Sequence, residues 1–297
     1  MKITSGPSSV LNFLLKDARV LAGALLIFLI LAMCVLAPIL SDFEPLEISG
    51  SSLLEPNRKH PLGTDDVGHD LFSQLLFGAR TSALVGISVG VTGVIIALLM
   101  GGFAGYRGGA GEQIVMRTVD VFLCVPRFPI LVVMAAFLGS SLINVVLFLI
   151  LFSWPVGTRL VRSKVLSLKN SPLIEAEILF GARGFYIFSR HILPELIPLL
   201  IVIFVLDASH AVLAEAGLSF LGLGDLLVVS WGTILHYAFI YPGIFLGQAW
   251  LWWALPPGAG ISIFVLGLML ISSGLEHGFN PKMGKESKIV EDFSNYV

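Results

Sequence analysis

The sequence predicts an all-α, polytopic membrane protein with six transmembrane helices, and three observations predict it. Of 297 residues, 56% are hydrophobic and only 13% are charged, with mean hydropathy +0.91. A soluble domain carries about a quarter charged residues. Apolar runs near the ~20 residues that cross a ~30 Å bilayer core recur along the chain. Lys and Arg gather in alternate connecting segments: 1–19, 106–117, 159–190 and 277–297 hold most of them, whereas 41–79, 139–142 and 217–250 hold only Arg58 and Lys59. The positive-inside rule then places both termini and the 159–190 loop in the cytoplasm of a multi-pass protein of the cell membrane.

The first apolar run, Val20–Leu40, is too long for the apolar core of a cleaved signal peptide. Met33 is bulky where the lipoprotein cleavage box suggested by Leu31-Ala32-Met33-Cys34 needs a small residue, so the span is read as uncleaved. Residues 41–79 are polar and acidic. Within them Gly63, Thr64 and Asp65 read as a turn and Asp70 as the cap of a helix entering the membrane. His60, His69 and the neighbouring aspartates could form a metal site, but a solvated acidic loop is the expectation.

Span two, Thr81–Ala104, carries Gly86, Gly90, Gly93 and Gly101, with Gly105 following. Small residues at such spacings let helices approach closely in lipid. The glycine-rich run 101–111 is no phosphate loop, because the chain contains no GxxxxGK[ST] and so no ATP site of that kind. Span three, Thr118–Leu138, has Asp120 near one end and Pro126-Arg127-Phe128-Pro129 well inside it. Span four covers Ile143–Val161 and span five Leu196–Glu215. The stretch 216–243 that follows has no Lys or Arg and is aromatic and glycine-broken, as befits a structure in the outer interface. Trp250, Trp252 and Trp253 form a belt before span six, Ala254–Leu275. The tail beyond it carries Lys282, Lys285 and Lys288.

Between spans four and five lies an island of mixed polarity, Ser171–Pro198, with the sequence SPLIEAEILFGARGFYIFSRHILPELIP. Ser171 can cap a helix and Pro172 suits its first position. Leu173, Ala176 and Phe180 recur at helical spacing, with Glu175 and Glu177 near the positive N-terminal end. Gly181 ends that helix and turns the chain. A second short amphipathic helix is expected from Gly184 to His191, with Pro194 and Pro198 marking the passage into span five. The arrangement suits either a loop resting on the membrane surface or a docking site for a soluble partner.

No nucleophile–base pairing stands out, and the chain is not expected to be an enzyme. Cys34 and Cys124 sit far apart in apolar runs and read as small buried hydrophobes, without a metal or redox pattern. Ionisable residues inside the membrane are the default functional candidates: Arg127, Asp207, His210 and Glu215. Asp207 and His210, three apart, share a helix face. They can be a proton relay, a pair of metal ligands or a polar pair facing the bundle interior. Two classes of function remain open: an ATP-driven importer subunit, and an ion-coupled secondary transporter with Asp207 carrying the proton. The second class calls for an internal repeat, and no convincing one is present.

Several of these stretches resemble one family. Glu175-Ala176, Gly181 six residues after Glu175, and His191-Ile192-Leu193-Pro194 resemble the coupling loop of ABC import permeases; Glu177 stands where that family usually has a second alanine. HPLGTD at 60–65, AEAGLSFLGLG at 214–224 and HGFNPKM at 277–283 resemble the C-type permease subunits of dipeptide, oligopeptide and nickel importers, with His69 in place of the usual arginine. The resemblance covers residues 20–283. It implies the type I ABC importer (MetI-like) fold, with an N-terminal helix and extracytoplasmic segment (1–79), a permease core (80–283) containing the coupling loop (164–195), and a cytoplasmic tail (284–297). It implies ATPase coupling through Glu175, Ala176, Gly181, His191, Leu193 and Pro194. The implied partners are a second permease subunit, two ATP-binding subunits that hydrolyse the ATP, and an extracytoplasmic solute-binding protein, with membrane lipid around the spans. Neither cofactor nor nucleic acid is implied. The implied cargo is a di- or oligopeptide, with nickel or a nickel chelate as the alternative. Arg127, Asp207 and His210 are the candidates for the translocation pathway, Arg127 because a guanidinium can hold a peptide carboxylate bidentately.

Overall fold

A computed structural model describes residues 17–279. The tail lysines and the terminal segments of the sequence reading lie outside the described residues.

Helix α1, Ala18–Leu40, begins on Asp17, whose side chain accepts from the Arg19 N–H. Helix α2, Leu71–Arg107, starts ten residues before the expected span. Its cap is Asp70, as the sequence suggested, and the Asp70 carboxylate accepts from both the backbone and the hydroxyl of Ser73 at 2.7 Å. The first turns were missed because Leu71, Leu76 and Ala79 are buried against protein, not lipid, and polar residues between them lower the local hydropathy.

The expected span three is two helices. Helix α3, Gly109–Cys124, and helix α4, Arg127–Leu138, meet at an 80° bend. Proline forces an extended conformation on the residue before it, and Val125 (φ −85°, ψ 127°) and Pro126 (φ −68°, ψ 111°) are both extended. Pro129 then falls in the first turn of α4, where a missing N–H costs little. Arg127 therefore opens a new helix instead of sitting well inside a continuous one.

Helix α5, Leu142–Lys169, returns to the base-rich end of the bundle. Short helix α6, Pro172–Leu179, and the turn Gly184–Ile187, α7, follow. The second amphipathic helix is not separate. A single π-turn, Phe188–Ile192, joins α7 directly to α8, Leu193–Phe220, so Gly184–Phe220 is one 37-residue span. Pro194 has no N–H to give an α-helical carbonyl partner and its ring crowds the preceding turn. Widening that turn by one residue, with the Leu193 N–H bonded to the Phe188 carbonyl, removes the conflict without breaking the helix. Helices α9 (Trp231–Ile240), α10 (Ala249–Trp253) and α11 (Leu255–Phe279) complete the described chain.

Among the described residues, five helices are long and apolar enough to span a bilayer, and the bent pair α3–α4 makes a sixth crossing if counted as one. Helix α2 is the axis. A Cβ at Gly86 or Gly90 would press on Val212 or Phe204 of α8, and one at Gly93, Gly101 or Gly105 on Ser153, Thr158 or Val165 of α5. The small-residue spacing read from the sequence thus serves both neighbours: Gly86 and Gly90 face α8, Gly101 and Gly105 face α5, and Gly93 touches both. Helix α1 packs on α11 in the same way, Gly23 against the Gly267 backbone. Trp253, expected in an interfacial belt, is fully buried beside Tyr241. Cys34 is buried as expected, but Cys124, at the bend, is exposed.

Candidate functional site

Three places on this frame gather the residues singled out by the sequence. The first is the turn after α6. Phe180 is the C-cap, the Gly181 N–H bonds the Ile178 carbonyl, and the Ala182 N–H bonds the Glu177 carbonyl, both at 3.0 Å. This is the six-to-one, five-to-two pattern that closes a helix on a left-handed residue, and Gly181 has φ +83°. A Cβ there would meet nothing within 4 Å, so glycine is required by backbone conformation and not by space.

Ile174 anchors α6 from below. It is 3% exposed, in a cluster with Val161 and Val165 of α5 and with Ile187 and Ile192. Glu175 points away, exposed, and Ala176 is half-buried. Beyond the turn, Leu179, Phe180 and Phe185 are 87%, 90% and 84% exposed. An uncovered apolar rim of this kind marks an interaction surface. His191 is half-buried in the π-turn, edge-on to Tyr186, with its Nε2 3.6 Å from Glu177 Oε1. Leu193 and Pro194 open α8, the first half-buried and the second exposed. Two features were not legible in the sequence. Glu177 faces His191 across the turn, and no rule of spacing pairs them because the chain reverses between. The exposure of Phe180 was hidden because it recurs at helical spacing with Leu173 and Ala176, as a packed apolar face would.

The second place is mid-bundle. Asp207 is 8% exposed on α8 and lies against Gly93 and Ser153: a Cβ at Gly93 would be 2.7 Å from Asp207 Oδ2 and 2.8 Å from Ser153 Oγ. His210 is exposed on the same helix. Arg127 is half-buried at the start of α4. Asp207 Oδ2 is buried without a hydrogen-bond partner among the described residues. Near the base-rich end, Arg159 pairs with Asp120 at 2.6 Å and Arg162 Nε with Glu112 at 2.7 Å, tying α3 to α5.

The third is the segment 41–70, expected as a solvated acidic loop. Its key residues are buried instead. His60 Nδ1 lies 2.8 Å from Asp70 Oδ1, with both side chains nearly inaccessible. Asp65 Oδ1 accepts from the backbone N–H groups of Val67, Gly68 and His69, and its Oδ2 from the Gln74 amide. The Thr64 hydroxyl donates to the Ser51 carbonyl and accepts from the Leu54 N–H. Gly63 has φ +71°, and a Cβ there would be 2.3 Å from the Leu54 carbonyl. His60, Gly63, Thr64, Asp65 and Asp70 thus tie a knot, while Asp66 stays exposed. His69 takes part: its Nδ1 is 2.7 Å from Asp65 Oδ2. Among the described residues no group of three His, Cys, Asp or Glu is placed to hold a metal ion. The knot faces α9 across a cavity lined by Asp65, Asp66 and His69 on one side and Leu226, Thr233 and Tyr237 on the other.

With this geometry in view, the chain can be set beside known proteins. The family described as "Binding-protein-dependent transport system inner membrane component" matches residues 93–285. A dipeptide transport system permease protein of Bacillus subtilis is 32% identical over 274 residues, 90% of this chain and 83% of the relative. A probable D,D-dipeptide transport system permease protein of Escherichia coli is 34% identical over 264 residues, 88% and 87% of the two chains. An oligopeptide transport system permease protein of Bacillus subtilis is 30% identical over 89% of this chain and 86% of its own. In three dimensions the chain is similar to one from the MetNI methionine ABC transporter in inward-facing conformations, with TM-score 0.52 and 21% identity over 68% of this chain and 96% of that one. That likeness shows a shared fold.

Proposed function

Since the chain belongs to the family of binding-protein-dependent transport system inner membrane components, we propose that it is a permease subunit of an ATP-driven importer of di- or oligopeptides, coupled to ATP hydrolysis through the turn after α6. The observation that carries the coupling role is that turn. A glycine-closed helix end, rooted by Ile174, holds an uncovered rim of Leu179, Phe180 and Phe185. The rim is the surface on which an ATP-binding subunit docks, with Glu175, Ala176, His191, Leu193 and Pro194 setting its angle to α8. Hydrolysis belongs to two such subunits. A second permease subunit completes the pathway and an extracytoplasmic binding protein delivers the peptide, with both termini in the cytoplasm. Residues 1–79 then supply the first helix and the extracytoplasmic knot, 80–283 the permease core and 284–297 a tail.

Along the pathway, Arg127 offers a guanidinium to the peptide carboxylate, near Asp207 and His210. An arginine facing lipid at the bilayer centre costs at least ~2.5 kcal/mol, and Arg127 stands where the chain bends and its backbone leaves the regular ladder.

The test of coupling is Gly181→Leu in the assembled complex. A β-carbon at φ +83° is strained whatever the free space, so the rim tilts while the spans stay in place. Peptide uptake and binding-protein-stimulated ATP hydrolysis are expected to fall together by at least about tenfold, with normal membrane insertion. Wild-type uptake in Gly181→Leu would refute the coupling role.

A further inference from the structure

Glu215 is used by nothing described so far, yet it is among the most buried side chains of the molecule. It is 1% exposed, one helical turn from the end of α8. Its Oε1 accepts from the Ser219 hydroxyl at 2.8 Å. The side chains of Ser82 on α2 and Ser230, the N-cap of α9, lie against the same carboxylate, while Oε2 and the Ser82 Oγ have no hydrogen bond of good geometry. Ser82, Ser219 and Ser230 are each 2% exposed or less. One carboxylate is thus ringed by hydroxyls from three helices.

The surrounding contacts make this a junction. A Cβ at Gly232 would be 2.7 Å from the Ala216 Cα, and one at Gly78 would be 3.2 Å from the Ser230 carbonyl carbon. The start of α9 is therefore pressed directly onto α8 and α2. Trp231, 2% exposed, adds an indole N–H to the Leu75 carbonyl at 3.1 Å. Ser230 and Thr233 cap each other reciprocally, so the first turn of α9 is fixed in shape and moves as a unit. At its opposite end the same 37-residue span carries the π-turn with His191.

We propose that Glu215 is the positioning residue that fastens α9 to the far end of the α8 rod, so that movement of the coupling turn is delivered to the base-poor mouth of the bundle. A buried carboxyl oxygen that accepts from a hydroxyl is costly to leave unpaired, so the Glu215–Ser219 bond holds both side chains in place. Glu215 holds Ser219, and a Cβ at Gly232 of α9 would be 2.8 Å from the Ser219 Cβ, so the carboxyl fixes the surface of α8 on which α9 is seated. The inference rests on the coupling role proposed above.

The experiment uses the full complex in proteoliposomes, with its binding protein and a labelled dipeptide, and reads peptides transported per ATP hydrolysed. Glu215→Ala is expected to lower that ratio by about tenfold or more, because the ATPases cycle while the mouth no longer follows. Glu215→Gln keeps an acceptor for Ser219 and is expected to stay within about threefold of wild type. If Glu215→Ala fails to assemble, the double variant Ser82→Ala, Ser219→Ala, which removes two hydroxyls without adding bulk, is read instead and should lower the ratio by at least about threefold. Uptake and hydrolysis falling in proportion, or a ratio unchanged in both test variants, would overturn the positioning role and leave the importer reading intact. A wild-type complex that shows no ATP-driven uptake would instead remove the importer reading and this inference with it.

Discussion

At the scale of single residues, the two departures from the family pattern have physical explanations of different weight. His69 does the work of a bonded side chain: it holds Asp65, which in turn gathers three backbone N–H groups and Gln74. Glu177 does less. Its oxygen is 3.6 Å from His191, beyond hydrogen-bond distance, and both side chains are partly exposed. Pairs of that kind are worth about 0–1 kcal/mol. Glu177→Ala, which restores the family's alanine, is therefore expected to leave uptake within about twofold of wild type; a large loss would show that the Glu177–His191 contact sets the turn. Asp70 is the opposite case. It caps α2, bonds Ser73 twice and holds His60 in the interior. Asp70→Ala removes a cap and strands a buried imidazole, at a cost of about 3 kcal/mol or more. A marked fall in thermal unfolding temperature of the detergent-solubilised protein, read beside Asp66→Ala as an exposed control, is the expected result. The residues of His60–Asp70 were legible in the sequence as a group, but their burial was not. Acidic residues read as solvated until the fold supplies the N–H and imidazole groups that pair with them.

At the scale of elements, the sequence is most legible where a helix is apolar along its whole length. Helix α1 differs from its expected bounds by two residues, because its apolar run is uniform and ends at polar residues. It is least legible where proline acts. Pro126 was visible but its consequence, an 80° bend, depends on where Val125 and Pro126 go once extended. At Pro194 the outcome is opposite: a break was expected and a π-turn is found. One extra residue in that turn rotates α7 about its axis by roughly 100° relative to a regular helix of 3.6 residues per turn. Deleting Ser189, an exposed residue of the turn, should convert it to a regular α-turn and swing the rim of Phe180 away from its docking angle. Uptake is expected to vanish with insertion intact; retained uptake would show that the π-turn plays no part in coupling. The bend has its own test. Arg127→Cys, with Cys34→Ala and Cys124→Ala, should react with a water-soluble thiol reagent, as a pathway residue must. Labelling only by lipid-soluble reagents, together with normal uptake in Arg127→Gln, would make Arg127 an anchor.

At the scale of the whole molecule, the glycines of α2 hold α8 and α5 close, and α8 joins the proposed coupling turn at one end to the Glu215 junction at the other. That architecture serves an importer in which energy enters at the base-rich end and the mouth responds at the base-poor end. A secondary transporter would need neither the uncovered rim nor partners. The two are separated by uptake of a labelled dipeptide into proteoliposomes holding this chain with its partner permease and two ATP-binding subunits. Accumulation that requires ATP and the binding protein, and that persists when a protonophore collapses the proton gradient, is the predicted result. Accumulation by this chain alone, driven by a proton gradient and indifferent to ATP, would contradict the account.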